Sequence, residues 1–403
     1  MFNLKFINIS QLYIWIHYVK ATHNILIAWG LVISIAACKK HTGHDAGKPP
    51  GINVYVLGKV ADSTIYWKNG EAHFLYKQSR IYYDLGNPSI FATENDVYVI
   101  GNKPNNNTTF LGTIPLYWRN GEMVILPDST GNAYASTIYI SNNDVYAAGA
   151  SWFNNDTSHV PYTTPTAIYP KSGYVATLWK NGVPQTLPGF CSVGLLSNGN
   201  AVNTFADYIS GLYVTGNDVY TAGGSRYFGF NAMYWKNGVR NDLTKGLIYQ
   251  DRNGRHCYPT TTSIFVSNNE VYVSGYQMTA WAPLTPTALF WKNGQATYLT
   301  DSLSGSEAKG IFVTGNDIHI VGYQNINRYS RAMYWKNGKP TELTSGKESS
   351  VATAIVVRGN DVYIAGYSWT APGNYIATWW KNGTQVNLTD GNTPAIANSI
   401  YIQ

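Results

Sequence analysis

Two stretches of this sequence pair a carboxylate with an imidazole. Asp251 and His256 share the polar run Asp251-Arg252-Asn253-Gly254-Arg255-His256-Cys257-Tyr258, and Asp156 and His159 share a longer aromatic stretch. Such a pair serves as general acid and base if the fold brings both groups to one substrate proton. Close pairs of this kind also arise by chance in long polar loops. No Ser/His/Asp order, HExxH helix, paired carboxylates or phosphate-cradling glycine loop accompanies them. His41, His44 and Asp45 have ligand-type side chains but lie in a short polar tether, so the sequence assigns neither a metal nor a cofactor.

A second group of residues suits recognition rather than turnover. Trp152, Phe153 and Tyr162 surround the Asp156–His159 pair, and Arg252, Arg255 and Tyr258 surround the other. Arg226, Tyr227, Trp281, Arg328 and Trp369 fall in shorter variable stretches. Aromatic planes beside Asn, Arg and Asp give a sugar ring an apolar face to stack on and partners for its hydroxyls. The competing reading is that these aromatics pack long loops onto the scaffold.

What must position these residues is a repeat. The phrase Tyr-Trp-Lys-Asn-Gly occurs with small variations seven times, its tryptophan at 67, 118, 179, 235, 291, 335 and 380. A second phrase, Asn-Asp-Val-Tyr-Val-Ile-Gly at Asn95 to Gly101, recurs near Asn143, Asn217, Asn269, Asn316 and Asn360. A recurrence of this length marks propeller blades or solenoid turns. Within a unit, alternating apolar residues flank Gly/Asn pairs, which tolerate the backbone of a two-residue hairpin. Each unit therefore reads as a four-stranded antiparallel meander of strands a, b, c and d, and no stretch has a sustained helical period.

The ends of the array select a ring. The first unit opens at Ile52 with strand b and lacks strand a, whereas the chain finishes on a surplus strand a, Asn398 to Gln403. A solenoid wants capped ends; a ring wants this overlap, because pairing the two leaves no half-unit exposed. The sequence thus predicts an all-β, seven-bladed β-propeller over 51–403, closed by its C-terminal strand. Turns a–b and c–d then share one face, with the lysines of one set near the acids of the other. The variable b–c and d–a loops, with the candidate acid–base and recognition residues named above, share the opposite face.

Charged residues are 12% of the chain and the formal charge is +6, with basic residues spread at repeat intervals, a pattern that argues against nucleic-acid binding. Lys5 and Lys20 precede an apolar run from Ile25 to Ala37, the arrangement of a targeting segment. Its end, Ile35-Ala36-Ala37-Cys38, resembles the lipobox of bacterial lipoproteins. That resemblance implies a signal peptide over 1–37, lipid on Cys38 holding the protein to a membrane of the cell envelope, and a tether over 38–50; an uncleaved anchor is the alternative. Cys191 and Cys257 then remain in an oxidising space, on the same face one blade apart, as a disulfide or as two isolated thiols. The repeats themselves resemble uncharacterised bacterial propeller lipoproteins with the same phrases, a likeness that implies the fold and no activity. The expected function is a monomeric, extracytoplasmic binding or scaffold protein whose loop face engages a glycan or an envelope protein. A polysaccharide hydrolase or lyase is the alternative.

Overall fold

The computed structural model describes residues 51–403 apart from 78–87, 106–111, 155–171, 189–192, 196–200, 226–230, 246, 248–256, 280–284, 302–304, 345–347, 370 and 372. Ile52–Gln403 forms one unit of seven four-stranded antiparallel blades, a seven-bladed β-propeller. Blade 1 takes strand a from the C-terminus, Ala395–Ile402, and strands b, c and d from Val54–Val60, Ser63–Lys68 and Glu71–Lys77. The closing strand pairs antiparallel with strand b, from Val54 opposite Ile402 to Val60 opposite Ala395. Blades 2 to 7 follow in order. Their innermost strands a are Ile90–Ala92, Ala133–Ser141, Ala201–Thr215, Cys257–Ser267, Ser306–Thr314 and Ser349–Arg358.

The two repeated phrases form one hydrogen-bonded network on the turn face. In each c–d turn the Asn adopts a positive φ of about 50°, and its side-chain oxygen accepts the N–H that opens strand b of the same blade: Asn337 from Ile318 at 2.8 Å, Asn382 from Val362 at 2.8 Å. The same bond is made by Asn69, Asn120, Asn181, Asn237 and Asn293. In most blades the Asn amide also donates to the a–b acid, as Asn337 does to Asp317 at 2.8 Å. Among the described residues six of the seven turn cations pair with those acids, from Arg119–Asp96 at 2.6 Å to Lys381–Asp361 at 3.2 Å. The exception, Lys68, lies 5.5 Å over the ring of Tyr55. Hydrogen bonds from Lys336 and then Asn337 hold Asp317 below the usual carboxylate range. Six of the seven turn bases are therefore neutralised where they stand, which makes their ring a clasp rather than an anion site.

The core lies between blades. Among the described residues the buried apolar side chains form seven clusters, one at each join between neighbouring blades. The repeated Trp fills this gap: Trp291, fully buried, packs among Tyr220, Leu243 and Leu247 of the preceding blade. Its indole N–H donates to the Leu243 carbonyl at 2.9 Å, as Trp179 and Trp235 do to Pro127 and Pro188 at 2.8 Å. Most strands a carry a bulge, and the extra residue there is commonly Ser or Thr, whose hydroxyl reaches the next blade. Ser136 donates to Ile209 at 2.8 Å, Thr262 to Ala308 at 2.7 Å and Thr353 to Ala397 at 2.8 Å.

One join departs from the expected plan. Strand c of blade 3, Ser172–Lys180, runs beyond its meander, and Ser172–Tyr174 pair in parallel with Thr204–Ala206 of blade 4. A short strand, Val193–Leu195, pairs with the same extension. Two overlong strands with open edges have satisfied each other's backbone groups. Where the repeat predicts a variable d–a loop from Pro188 to Asp207, Val193–Leu195 and the residues from Ala201 onward are strand.

Candidate functional site

Strand polarity puts the b–c and d–a connections on one face, at one end of a central channel lined by the seven strands a. The side chains of five of the residues singled out in the sequence can be located there or next to it. Trp152 lies near the end of strand b of blade 3, Asp144–Asn154, half-buried, with its ring edge-on to Tyr174 at 5.1 Å. Tyr174 in turn packs on Tyr134 at 5.5 Å and donates to Asn132 at 3.0 Å. Trp152 therefore braces the lengthened strands of blade 3, the packing role weighed against ligand binding. Tyr258 and Cys257 are not loop residues: they open strand a of blade 5, Tyr258 half-buried opposite Met278 and Cys257 buried. Arg328 is exposed on a two-residue turn with Asn327, both at positive φ, where the sequence predicts a variable loop.

Trp369 is the nominee that meets other site-like groups. It ends strand b of blade 7 and forms a compact aromatic group with Tyr367 at 5.7 Å and Tyr375 at 5.5 Å. Phe153 lies on strand b of blade 3 opposite Gly173, and its side chain is outside the described residues. Also outside them are Asp156, His159, Tyr162, Arg226, Tyr227 and Trp281. The same holds for Cys191, for the run from Asp251 to His256 with Arg252 and Arg255, and for Cys38 with its flanking segments.

Two charged residues that sequence reasoning passed over complete the mouth. In blade 6 the bulge position taken by Ser136, Thr262 or Thr353 elsewhere is Lys309, whose ammonium pairs with Glu307 at 2.8 Å. The other Glu307 oxygen accepts from the Tyr323 hydroxyl at 3.0 Å, and Lys309 lies 5.7 Å over the Tyr323 ring. Both charged side chains are about four-fifths covered, at 23% and 18% exposure. Burial first, then the neighbouring Glu307, push the Tyr323 phenol well above the ordinary tyrosine range, so it stays a donor. Burial, then Tyr375 and Glu307, push Tyr367 up to about 12, which joins this cluster to the aromatic group of blade 7. Aligning the strands a against one another exposes the signal: a lysine where four of the other five bulges use a hydroxyl and the fifth uses Asn398.

Below the mouth the channel has a volume of about 420 Å3. Phe91, Tyr139, Tyr213, Phe265, Phe312 and Tyr401 line it with aromatic side chains. Among the described lining residues only Lys309 and Arg358 carry formal charge, Arg358 on the turn-face rim. No three His, Cys, Asp or Glu side chains among the described residues gather closely enough to hold a metal ion.

One buried acid belongs to the scaffold instead. Asp207 sits at the join of blades 3 and 4, in the position where Ser306 and Ser350 accept the N–H groups of Ala288 and Ala332 at 3.0 and 2.9 Å. Neither of its carboxyl oxygens closes to hydrogen-bond geometry. Burial pushes the group up to about 8, against the weaker pull of the Ala176 N–H, Ser225 and Arg240. A folded-state value raised above the unfolded one means the contribution is full below pH ~4 and is lost as pH rises toward 8. Asp207→Asn is therefore expected to flatten this limb. At pH 9 the variant should exceed wild type in stability by a few kcal/mol, since each pH unit between the two values is worth about 1.4 kcal/mol. Urea melts from pH 5 to 9 check it; parallel curves for the two proteins would contradict it.

The sequence matches no protein-family model and no curated protein. Among solved structures it is similar to an acylaminoacyl peptidase in complex with Z-Gly-Gly-Phe-chloromethyl ketone: 11% identity, 86% of this chain and 52% of that one, TM-score 0.46. A puromycin-hydrolyzing peptidase of Mycobacterium tuberculosis is similar at 10% identity, 85% and 53% coverage, and TM-score 0.48. A thermostable family-43 glycoside hydrolase is similar at 11% identity, 63% and 91% coverage, and TM-score 0.36. This chain spans about half the length of the two peptidases. Likenesses this distant carry no argument about its chemistry.

Proposed function

We propose that this is a non-catalytic, extracytoplasmic binding protein, held to a membrane of the cell envelope by lipid on Cys38, whose loop face engages a glycan. One observation carries the reading. At the channel mouth a carboxylate, an ammonium and a phenol are held on one another beside the Tyr367–Trp369–Tyr375 group. Fixed donors and acceptors next to an aromatic surface suit a hydroxylated ring with an apolar face. The clasped turn face offers no comparable group. An envelope protein is the partner that would replace the glycan if none binds.

The test is a glycan array and an envelope pull-down with the full chain in detergent micelles, repeated with Trp369→Ala. Losing a central aromatic anchor is expected to weaken binding about tenfold or more, roughly 1.4 kcal/mol. Unchanged affinity in the variant moves the site elsewhere. Silence in both assays from folded protein removes the proposal.

A further inference from the structure

We infer that the turn-face end of the central channel binds a small aromatic carboxylate, whose ring takes the interval left at Val356 and whose carboxylate meets Arg358. The site is separate from the loop-face group and does not depend on the glycan reading. Tyr401, Phe91, Tyr139, Tyr213, Phe265 and Phe312, from blades 1 to 6, follow one another around the channel, with successive ring centroids 4.5, 4.9, 5.3, 4.7 and 4.5 Å apart. They occupy one register position, each opposite the Tyr or His of its strand b. Blade 7 fills that position with Val356, opposite Tyr363. The series of rings is therefore one short, between Phe312 and Tyr401. Tilted aromatic contacts at these spacings are favourable, so a planar ring supplied by a ligand completes the series.

Two residues further along the same strand, blade 7 departs from the repeat again. Ser141, Thr215, Ser267 and Thr314 stand opposite the a–b acids of their blades, whereas the residue opposite Asp361 is Arg358. Asp361 is already taken: it pairs with Lys381 at 3.2 Å and accepts from Asn382 at 2.7 Å. Among the described residues no acid forms an ion pair with Arg358, which is exposed and lines the channel with Val356 and Tyr401. The other lining cation, Lys309, is paired with Glu307, and no Asp or Glu is among the described lining residues. Arg358 therefore leaves the channel one positive charge uncompensated, and its planar fork suits the two oxygens of a carboxylate. Tyr401 adds a donor, because burial holds its phenol above the ordinary range against the pull of Arg358. At about 420 Å3 the space falls within the roughly 300–1,000 Å3 of small-ligand sites. An aliphatic acid would leave the interval at Val356 unfilled, and a neutral ring would leave Arg358 unanswered.

The probe is 4-fluorobenzoate, followed by fluorine NMR with the full chain in non-ionic detergent micelles, against a blank of micelles alone. 4-Fluorobenzamide keeps the ring without the charge, and fluoroacetate keeps the charge without the ring. 4-Fluorobenzoate is expected to bind, and each control to bind weaker by about tenfold or more. Arg358→Gln, at an exposed position, is expected to weaken 4-fluorobenzoate by about tenfold or more, since it removes one side of a charge pair. Val356→Phe gives blade 7 the residue that blades 2, 5 and 6 carry at this position, and is expected to weaken the probe by the same factor with an unchanged melting temperature. Trp369→Ala is expected to leave its affinity unchanged, which separates this site from the loop-face one. No binding of 4-fluorobenzoate at millimolar concentration overturns the inference. So does an amide that binds as tightly as the acid, or full affinity in folded Val356→Phe. If Val356→Phe does not fold, the amide comparison and Arg358→Gln decide. In every case the glycan array stands or falls by its own result.

Discussion

A chain ending at Pro394 is expected not to fold into a stable ring. Removing Ala395 to Gln403 deletes strand a of blade 1 and exposes two edges at once, that of Val54–Val60 and the flank of blade 7. Ala395, Ala397, Ile400 and Ile402 are all buried at this join, packed with Val54, Val56 and Trp67 on one side and Tyr363 and Ala377 on the other. Two buried isoleucines alone contribute about 1.5–3 kcal/mol each, and the stranded partners add more. The sum rivals the ~5–15 kcal/mol by which a native protein exceeds its unfolded state. The backbone also loses the reciprocal Asn53–Gln403 pair, at 2.9 and 3.0 Å, and the bond from Ala61 to Pro394 loses its anchor. Soluble yield and circular dichroism of the truncated chain are the measurements, with a synthetic peptide of residues 395–403 added in trans expected to restore both. A truncated chain that stays monomeric and melts within a few degrees of full length would show that closure does not hold the ring together.

That closure is legible in the sequence, because the count of strands at the two ends is a property of the repeat and not of packing detail. So is the sorting of faces, which follows from strand polarity alone. The phrases Tyr-Trp-Lys-Asn-Gly and Asn-Asp-Val-Tyr travel together because Asn, Lys and Asp of one blade bond to one another, although the sequence shows only that they fall at the same end. Legibility fails where strands outrun their pattern. The extensions of blades 3 and 4 run through Ser172-Gly173 and Asn203, residues that read as turn formers, and their parallel pairing joins residues that lie on different blades. It fails again at Glu307 and Lys309, which lie on strand a, the element that reads as pure scaffold. A repeat draws the eye to variable loops; here a substitution within the invariant part brings charge to the channel mouth. Arg328, by contrast, sits in an apparent loop that is a tight hairpin.

Gly275→Ala is expected to destabilise the ring by about 3 kcal/mol or more, far beyond the ~1 kcal/mol of an ordinary glycine substitution. Gly275 lies in the middle of strand b of blade 5, Glu270–Thr279, where strand a bulges between Thr261 and Ser263. The bulge tips the Thr260 carbonyl over Gly275, so an added Cβ would collide with that oxygen and stand 2.9 Å from the Trp291 ring. Neither neighbour can yield cheaply. The carbonyl is backbone, and Trp291 is fully buried and bonded to Leu243 of the preceding blade. Overpacking a filled site typically costs about 1–3 kcal/mol when side chains can shift; displacing strand a moves the channel wall as well. The same collision with a strand a carbonyl awaits a Cβ at Gly149, Gly223, Gly322 and Gly366, which explains why the glycine recurs with the bulge. Gly70 supplies the control: its φ is +86° and nothing lies within 4 Å of an added Cβ, so Gly70→Ala should cost only the ~1–2 kcal/mol of a left-handed alanine. Urea midpoints of the two variants, at equal slope, are the comparison. Equal midpoints would mean the glycine is kept for turn-like backbone freedom and that the bulge, the carbonyl and the tryptophan do not act as one unit.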